Sequence, residues 1–297
     1  MYLIGGWNPD DRQHFPRITV NEVLRSADGA TWTPVKANTF GAGDAGNRDR
    51  DRDGDWEGRH TFGRVVHDNA MWIVGGDANQ GYYQDDVWRS SDGVSWARVA
   101  TQPPWAGRVL SIVGCYAGRI WVMGGQRMPA MVAGERDELY ADVWCSEDGA
   151  AWRRVAPQGP MWEPRGMIDQ AVVFDGRMWV LGGGTYDTPN VPERKFYNDV
   201  WSTTDGARWT CHTSSAAWAP RQYHHAAVWD DRLWVLGGYA HRDLGDVWYS
   251  VDGEAWQELP HTPWAARHAA SVWVHDDALW VGFGSRGATD CWKLVRG

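Results

Sequence analysis

Residues 70–96 decide the fold. They run Ala70-Met71-Trp72-Ile73-Val74-Gly75-Gly76, then Asp86-Val87-Trp88-Arg89-Ser90-Ser91-Asp92-Gly93, and close on Trp96. The apolar run before the glycine pair shows no polar alternation, which predicts a strand covered on both faces. Two adjacent glycines suit a backbone that turns tightly or is approached closely by its neighbours. Asp92-Gly93 lies between two β-rich runs, a strong hairpin signal because both residues tolerate positive φ. The nearby Ser and Asp side chains can bond the turn backbone.

The same three signatures recur along the chain. The glycine-pair strand returns at residues 2–6, 121–125, 179–183 and 234–238, with a degenerate copy, Trp280-Val281-Gly282-Phe283-Gly284. The hairpin returns from Asn21, Asp142, Asp199 and Asp246, and each Asp-Gly is followed by Trp32, Trp152, Trp209 or Trp256. A Trp-x-x-Arg element precedes a further strand at Trp56/Arg59, Trp105/Arg108, Trp162/Arg165, Trp218/Arg221 and Trp264/Arg267. One unit thus reads as strand a after the arginine, strand b ending in the glycines, strand c at Asp-Val-Trp, and strand d after Asp-Gly. Four short antiparallel strands per roughly 50 residues make a propeller blade. The expected fold is all-β: one β-propeller domain over 1–297, with about six blades. The 23 tryptophans suit wedges between radially packed sheets. Six b and six c strands face only five a and five d strands. The first repeat starts at b and the last ends after c, which leaves the mode of closure open.

Hydrophobic residues, Gly-Gly, an aromatic and then Trp, at this spacing in tandem, resemble the kelch motif across essentially the whole chain. The Ser-x-Asp-Gly-x-x-Trp turns also resemble a shortened Asp-box, a structural hairpin that carries no activity. Some kelch propellers are enzymes. The copper set of galactose-oxidase-like proteins is not visible here, and Glu135, Asp137 and Glu138 do not reproduce the iron motif of nitrile-specifier-like propellers. The sialic-acid mutarotase-like members, which use channel arginines and acidic residues, are compatible.

A net charge of −9 and a pI of about 5.5 argue against nucleic acid and anionic membranes, both of which need a basic footprint. No apolar run approaches the roughly 18 residues of a spanning helix. No signal peptide is visible, which suggests a cytoplasmic protein. Cys115, Cys145, Cys211 and Cys291 show no paired spacing and read as free thiols.

Function is sought where the repeats differ. Long b–c loops at 7–20, 126–141 and 184–198 carry mixed polar and aromatic residues, among them Tyr140, Tyr186 and Tyr197. Loops of this length favour a binding role. Arg59, Arg108, Arg165, Arg221 and Arg267 share one repeat position before strand a. At a channel mouth their guanidinium forks would hold a carboxylate or phosphate; as braces they would bond turn carbonyls. His224 or His225 with Asp169 is a candidate acid/base pair. His60, His224 and His268 could instead meet at a metal. The Asp/Arg-alternating segment 41–57 reads as an inter-blade loop, because Arg48, Arg50 and Arg52 would repel a cation.

The first expectation is therefore a binding propeller for an anionic small molecule, a glycan or a protein partner, acting through its b–c loops and channel mouth. The alternatives are an isomerase or lyase on an anionic sugar-like substrate, or a histidine metalloenzyme. No cofactor is identified.

Overall fold

The computed structural model describes residues 1–8, 18–39, 54–77, 83–105, 107–128, 137–166, 170–188 and 192–296. They form a six-bladed β-propeller. Blade 1 holds β1 (Tyr2–Trp7), β2 (Thr19–Arg25) and β3 (Thr33–Lys36). Blade 2 holds β4 (Gly63–His67), β5 (Ala70–Asp77), β6 (Tyr83–Ser90) and β7 (Ala97–Thr101). Blade 3 holds β8 (Ile112–Tyr116), β9 (Arg119–Met123), β12 (Val143–Ser146) and β13 (Arg153–Val155), and its b–c loop carries the short ribbon β10 (Gln126–Arg127) and β11 (Glu138–Leu139). Blade 4 holds β14 (Val172–Phe174), β15 (Arg177–Gly184), β16 (Phe196–Thr203) and β17 (Thr210–Thr213). Blade 5 holds β18 (His225–Trp229), β19 (Arg232–Tyr239), β20 (Asp243–Ser250) and β21 (Gln257–Glu258). Blade 6 holds β22 (Ser271–His275), β23 (Ala278–Gly282) and β24 (Cys291–Leu294). No helix among the described residues is long and apolar enough to cross a membrane.

The hairpins between strands c and d are copies of one another. In blade 2, Gly93 N donates to Ser90 Oγ at 2.8 Å, Val94 N and Ser95 N donate to Asp92 Oδ1, and Trp96 Nε1 donates to Gly93 O. The bonds around Asp28 repeat this pattern. Backbone N–H donors of Thr31 and Ala30 hold the Asp28 carboxyl at a pKa of about 2. A carboxylate accepting several N–H bonds is stabilised in its charged form.

The glycine pair has a steric cause. Gly5, Gly75, Gly124, Gly182 and Gly237 have φ between +55° and +58°. A Cβ on Gly5, Gly124 or Gly182 would press on the ring of Trp56, Trp162 or Trp218 in the following blade. In blade 6 the corresponding residue is Phe283, held at φ 57°.

Five buried apolar clusters each bridge two consecutive blades, from Val23, Trp56, Ile73 and Trp96 between blades 1 and 2 to Ala227, Trp229, Leu279 and Val281 between blades 5 and 6. Within them, Trp56–Trp96, Trp105–Trp152, Trp162–Trp209 and Trp218–Trp256 pack edge to face, with centroids 5.7–5.9 Å apart. That is a favoured geometry for aromatic quadrupoles.

Closure is side by side. Blade 1 lacks an inner strand and blade 6 lacks an outer one among the described residues. Trp273 Nε1 donates to Tyr2 O at 3.0 Å, His275 Nε2 meets Ala27 O at 3.1 Å, and Trp32 packs on Trp273 and Phe283 at 5.3 Å each. The four cysteines are free, as their spacing suggested.

Candidate functional site

The five arginines mark the b–c end of the propeller. Arg59–Asp86 and Arg108–Asp142 meet at 2.5 Å, Arg221–Asp246 and Arg267–Asp290 at 2.7 Å, and Arg165 pairs with Asp199 in the same way. Each fork also donates to a b-strand carbonyl, that of Gly75, Gly124, Gly182, Gly237 or Phe283, at 2.9–3.3 Å. Each Asp accepts a further bond from the indole two residues on: Trp88, Trp144, Trp201, Trp248 or Trp292. The arginine main chains bond the preceding blade: Arg59 N donates to Val20 O, Arg165 N to Tyr140 O, Arg221 N to Tyr197 O and Arg267 N to Leu244 O.

The arginines therefore stitch consecutive blades together. They are no more than 4% exposed, and their forks are filled by internal carboxylates, a geometry that strengthens charge-assisted bonding. The expected open ring of guanidinium groups at the channel mouth gives way to this arrangement. The Arg267 bond holds the Asp290 carboxyl at about 2. Burial opposes the charge of Asp246, but the bond and charge of Arg221 outweigh it and lower its pKa.

Tyr140 and Tyr197 cover these ion pairs. The guanidinium carbons of Arg108 and Arg165 lie 3.7 and 3.6 Å from their ring centroids, within cation–π range. Burial, with Glu138 and Glu163 accepting their hydroxyl bonds, pushes both phenols up.

The candidate histidines separate. His224 is fully buried between blades 4 and 5, with Nε2 2.8 Å from Leu181 O. His60 Nδ1 meets Asp77 O at 2.8 Å, its ring lies 4.7 Å from Trp7, and burial lowers its pKa to about 4. His268 Nδ1 meets Asp243 Oδ1 at 2.6 Å. Asp169 lies outside the described residues, as does most of segment 41–57. No group of three His, Cys, Asp or Glu side chains converges among the described residues.

Inner strands line a cavity of about 290 Å³ with Val66, Cys115, Val173, Val228 and Val274, among others. At the b–c mouth, Thr61, Leu110, Tyr223 and Ala269 each lie two residues after a stitching arginine, and all have φ of 50–61°. Leu110 N donates to Thr61 O and Ala269 N to Tyr223 O, joining neighbours into a collar. Left-handed non-glycine residues store strain and cluster at functional positions.

Over blades 4 to 6 the collar carries a polar aromatic cluster. Arg194 lies 4.4 Å from the Tyr186 centroid and 5.6 Å from that of Tyr239, and it pairs with Asp187. His268 lies 5.3 Å from Tyr223 and 5.5 Å from Tyr239. Ser285 Oγ donates to Asp243 Oδ2 at 3.2 Å. Tyr186 main-chain groups are held by the Gln126 amide at 2.8 and 3.1 Å. Of this cluster, Tyr186 and His268 were legible in the sequence. Arg194, Tyr223, Tyr239 and Asp243 were not singled out, although Tyr223 stands two residues after Arg221. The Asp partners of the arginines were missed too, although an Asp heads strand c in each repeat that has the arginine.

No family model matches the chain. It is similar to the leucine-zipper-like transcriptional regulator 1 homolog of Drosophila melanogaster, 31% identical over 114 residues, which are 37% of this chain and 12% of that protein. The chain thus spans a small part of the curated relative that it matches.

Proposed function

We propose that the chain is a kelch-type propeller that binds a polar, hydroxyl-bearing ligand, such as a glycan, on its b–c face. The observation that carries this reading is the cluster of Tyr186, Tyr223, Tyr239, Arg194 and His268 over the channel mouth. Flat aromatic faces beside fixed polar groups make a binding surface of this type. The polar groups of the cluster are already partnered, Arg194 by Asp187 and His268 Nδ1 by Asp243 Oδ1. A neutral polar ligand therefore fits better than an anion, and the five buried stitching arginines have no fork to offer one. This disfavours the isomerase or lyase alternative, which needed those forks, and the dispersed histidines disfavour the metalloenzyme.

A thermal-shift and glycan-array panel of neutral oligosaccharides, sugar acids and dicarboxylates tests the reading. A neutral glycan should raise the melting temperature by mass action. Tyr186→Ala and His268→Ala should abolish that shift while leaving the unliganded midpoint nearly unchanged. A panel in which only anions stabilise the chain, or in which nothing does, overturns it.

A further inference from the structure

We propose that Cys115 is a nucleophilic thiol served by His67, and that the channel brings to it a small uncharged electrophile of the α,β-unsaturated carbonyl class. The pair lies at the end of the channel opposite the b–c face, so the proposal is independent of the glycan reading.

Cys115 departs from the repeat. The second-last residue of the inner strand is Val66, Val173, Val228 or Val274 in blades 2, 4, 5 and 6, and Cys115 in blade 3. The last residue of each of these strands carries a ring: His67, Tyr116, Phe174, Trp229 or His275. That ring braces the next blade. His67 Nε2 donates to Glu147 O at 2.9 Å, the Tyr116 hydroxyl to Thr204 O at 3.3 Å and His275 Nε2 to Ala27 O at 3.1 Å. Glu147 enters the c–d turn of blade 3, which Ser146 and Asp148 hold by three bonds from Gly149 N, Ala150 N and Ala151 N.

Blade 3 adds a thiol on the other nitrogen of His67. A carbonyl only accepts, so the bond to Glu147 O fixes the hydrogen on Nε2 and leaves the lone pair on Nδ1. Cys115 Sγ stands 3.4 Å from that Nδ1, and its S–H donates to it. Nucleophile, base and a third group that orients the base form the arrangement of an activated nucleophile. Blades 2 and 3 supply all three.

Burial pushes the Cys115 thiol up, so the resting pair is neutral and His67 takes the proton as the sulfur attacks. The Sγ–C bond forms at the β-carbon of the electrophile, and the π pair of its C=C bond moves to the α-carbon. The proton held on Nδ1 then passes to the α-carbon. A thioether adduct results, and no further reactant is consumed.

The surroundings select the electrophile. The cavity that Cys115 lines measures about 290 Å³, at the lower edge of the about 300–1,000 Å³ of most ligand sites, so the guest is small. Among the described residues, none that lines it is charged, and an ion would be desolvated there without a counter-charge. Disulfide exchange needs a second thiol. Cys145 of the same blade faces blade 4, whereas Cys115 packs towards blade 2. A carbon electrophile needs no second thiol.

The test treats the whole native chain with limiting N-ethylmaleimide and follows each cysteine by peptide mass spectrometry. Cys211 is exposed and Cys115 half-buried, so exposure alone favours Cys211. Cys115 should instead react about tenfold or more faster, since a positioned base contributes about 10²–10⁴. His67→Phe, which gives blade 2 the ring that blade 4 has at Phe174, should remove this advantage and leave the Cys211 rate unchanged. In His67→Ala, imidazole added to the buffer should restore part of the Cys115 rate. A sulfonated maleimide should reverse the order and label Cys211 first. Cys115→Val should abolish the fast phase and keep the wild-type melting temperature. The proposal is overturned by a Cys115 that reacts no faster than Cys211, by a rate indifferent to His67→Phe, or by faster labelling of Cys115 with the sulfonated probe.

Discussion

Gly29 of blade 1 lies against the face of Trp280 in blade 6, so close that a Cβ at Gly29 would fall inside the indole ring's van der Waals contact. The same relation joins Gly149 to Trp72, Gly206 to Trp121 and Gly253 to Trp179. Four of the five Asp-Gly turns thus seat on the b-strand tryptophan of the preceding blade, the fifth, at Gly93, seats on Tyr2, and the first blade seats on the last. The ring is closed by the contact that propagates it.

Gly29→Ala should destabilise the fold through two effects. Its φ of +69° strains any side chain, by about 1–2 kcal/mol, and overpacking against Trp280 adds about 1–3 kcal/mol. Gly118 also has φ +69° but faces open space, so Gly118→Ala should show only the first effect. Urea unfolding of both variants checks the difference; equal losses would deny the steric seat.

Arg165→Met removes a guanidinium that is 1% exposed and strands Asp199. Breaking a buried pair from one side costs about 3–5 kcal/mol. Arg165→Lys should lose less than Met but should not restore wild-type stability, because the fork is lost. Measured losses under about 1 kcal/mol for both would contradict the stitching role.

Trp209→Ala should cost about 3–5 kcal/mol, since Trp209 is 7% exposed and packs edge to face on Trp162. Trp32 is only half-buried at the open seam, so Trp32→Ala should cost less. A double-mutant cycle on Trp162 and Trp209 should show coupling of about 0.5–1.5 kcal/mol.

His60 sets a pH dependence. Burial lowers its pKa from 6.5 to about 4, so the folded state holds the neutral form. Above the unfolded value both states are neutral and His60 contributes no pH slope. As pH falls from 6.5 towards 4, the unfolded chain takes up the proton first and stability declines. His60→Gln should flatten that part of a stability-versus-pH curve, and NMR titration of His60 should show a midpoint near 4. A midpoint near 6.5 would refute the burial argument.

The repeat unit, the six blades and the incomplete first and last sheets were legible in the sequence because their signals are local. Asp-Gly turns, glycine pairs and unbroken apolar strand runs act within about ten residues, and tandem copies reinforce one another. The identity of the stitching arginines was legible from their shared position. Their role was not, because the partners Asp86, Asp142, Asp199, Asp246 and Asp290 lie 23–34 residues away and meet them only when a sheet forms. Burial also took His224 out of the channel and set it between blades, which no local pattern records. The left-handed collar at Thr61, Leu110, Tyr223 and Ala269 and the pairing of His268 with Asp243 arise only when blades are placed side by side. Sequence determined the unit and its repetition, because those rest on short-range backbone preference. Tertiary structure decided which polar groups are consumed in holding the ring and which remain to meet a ligand, because that depends on distances between blades.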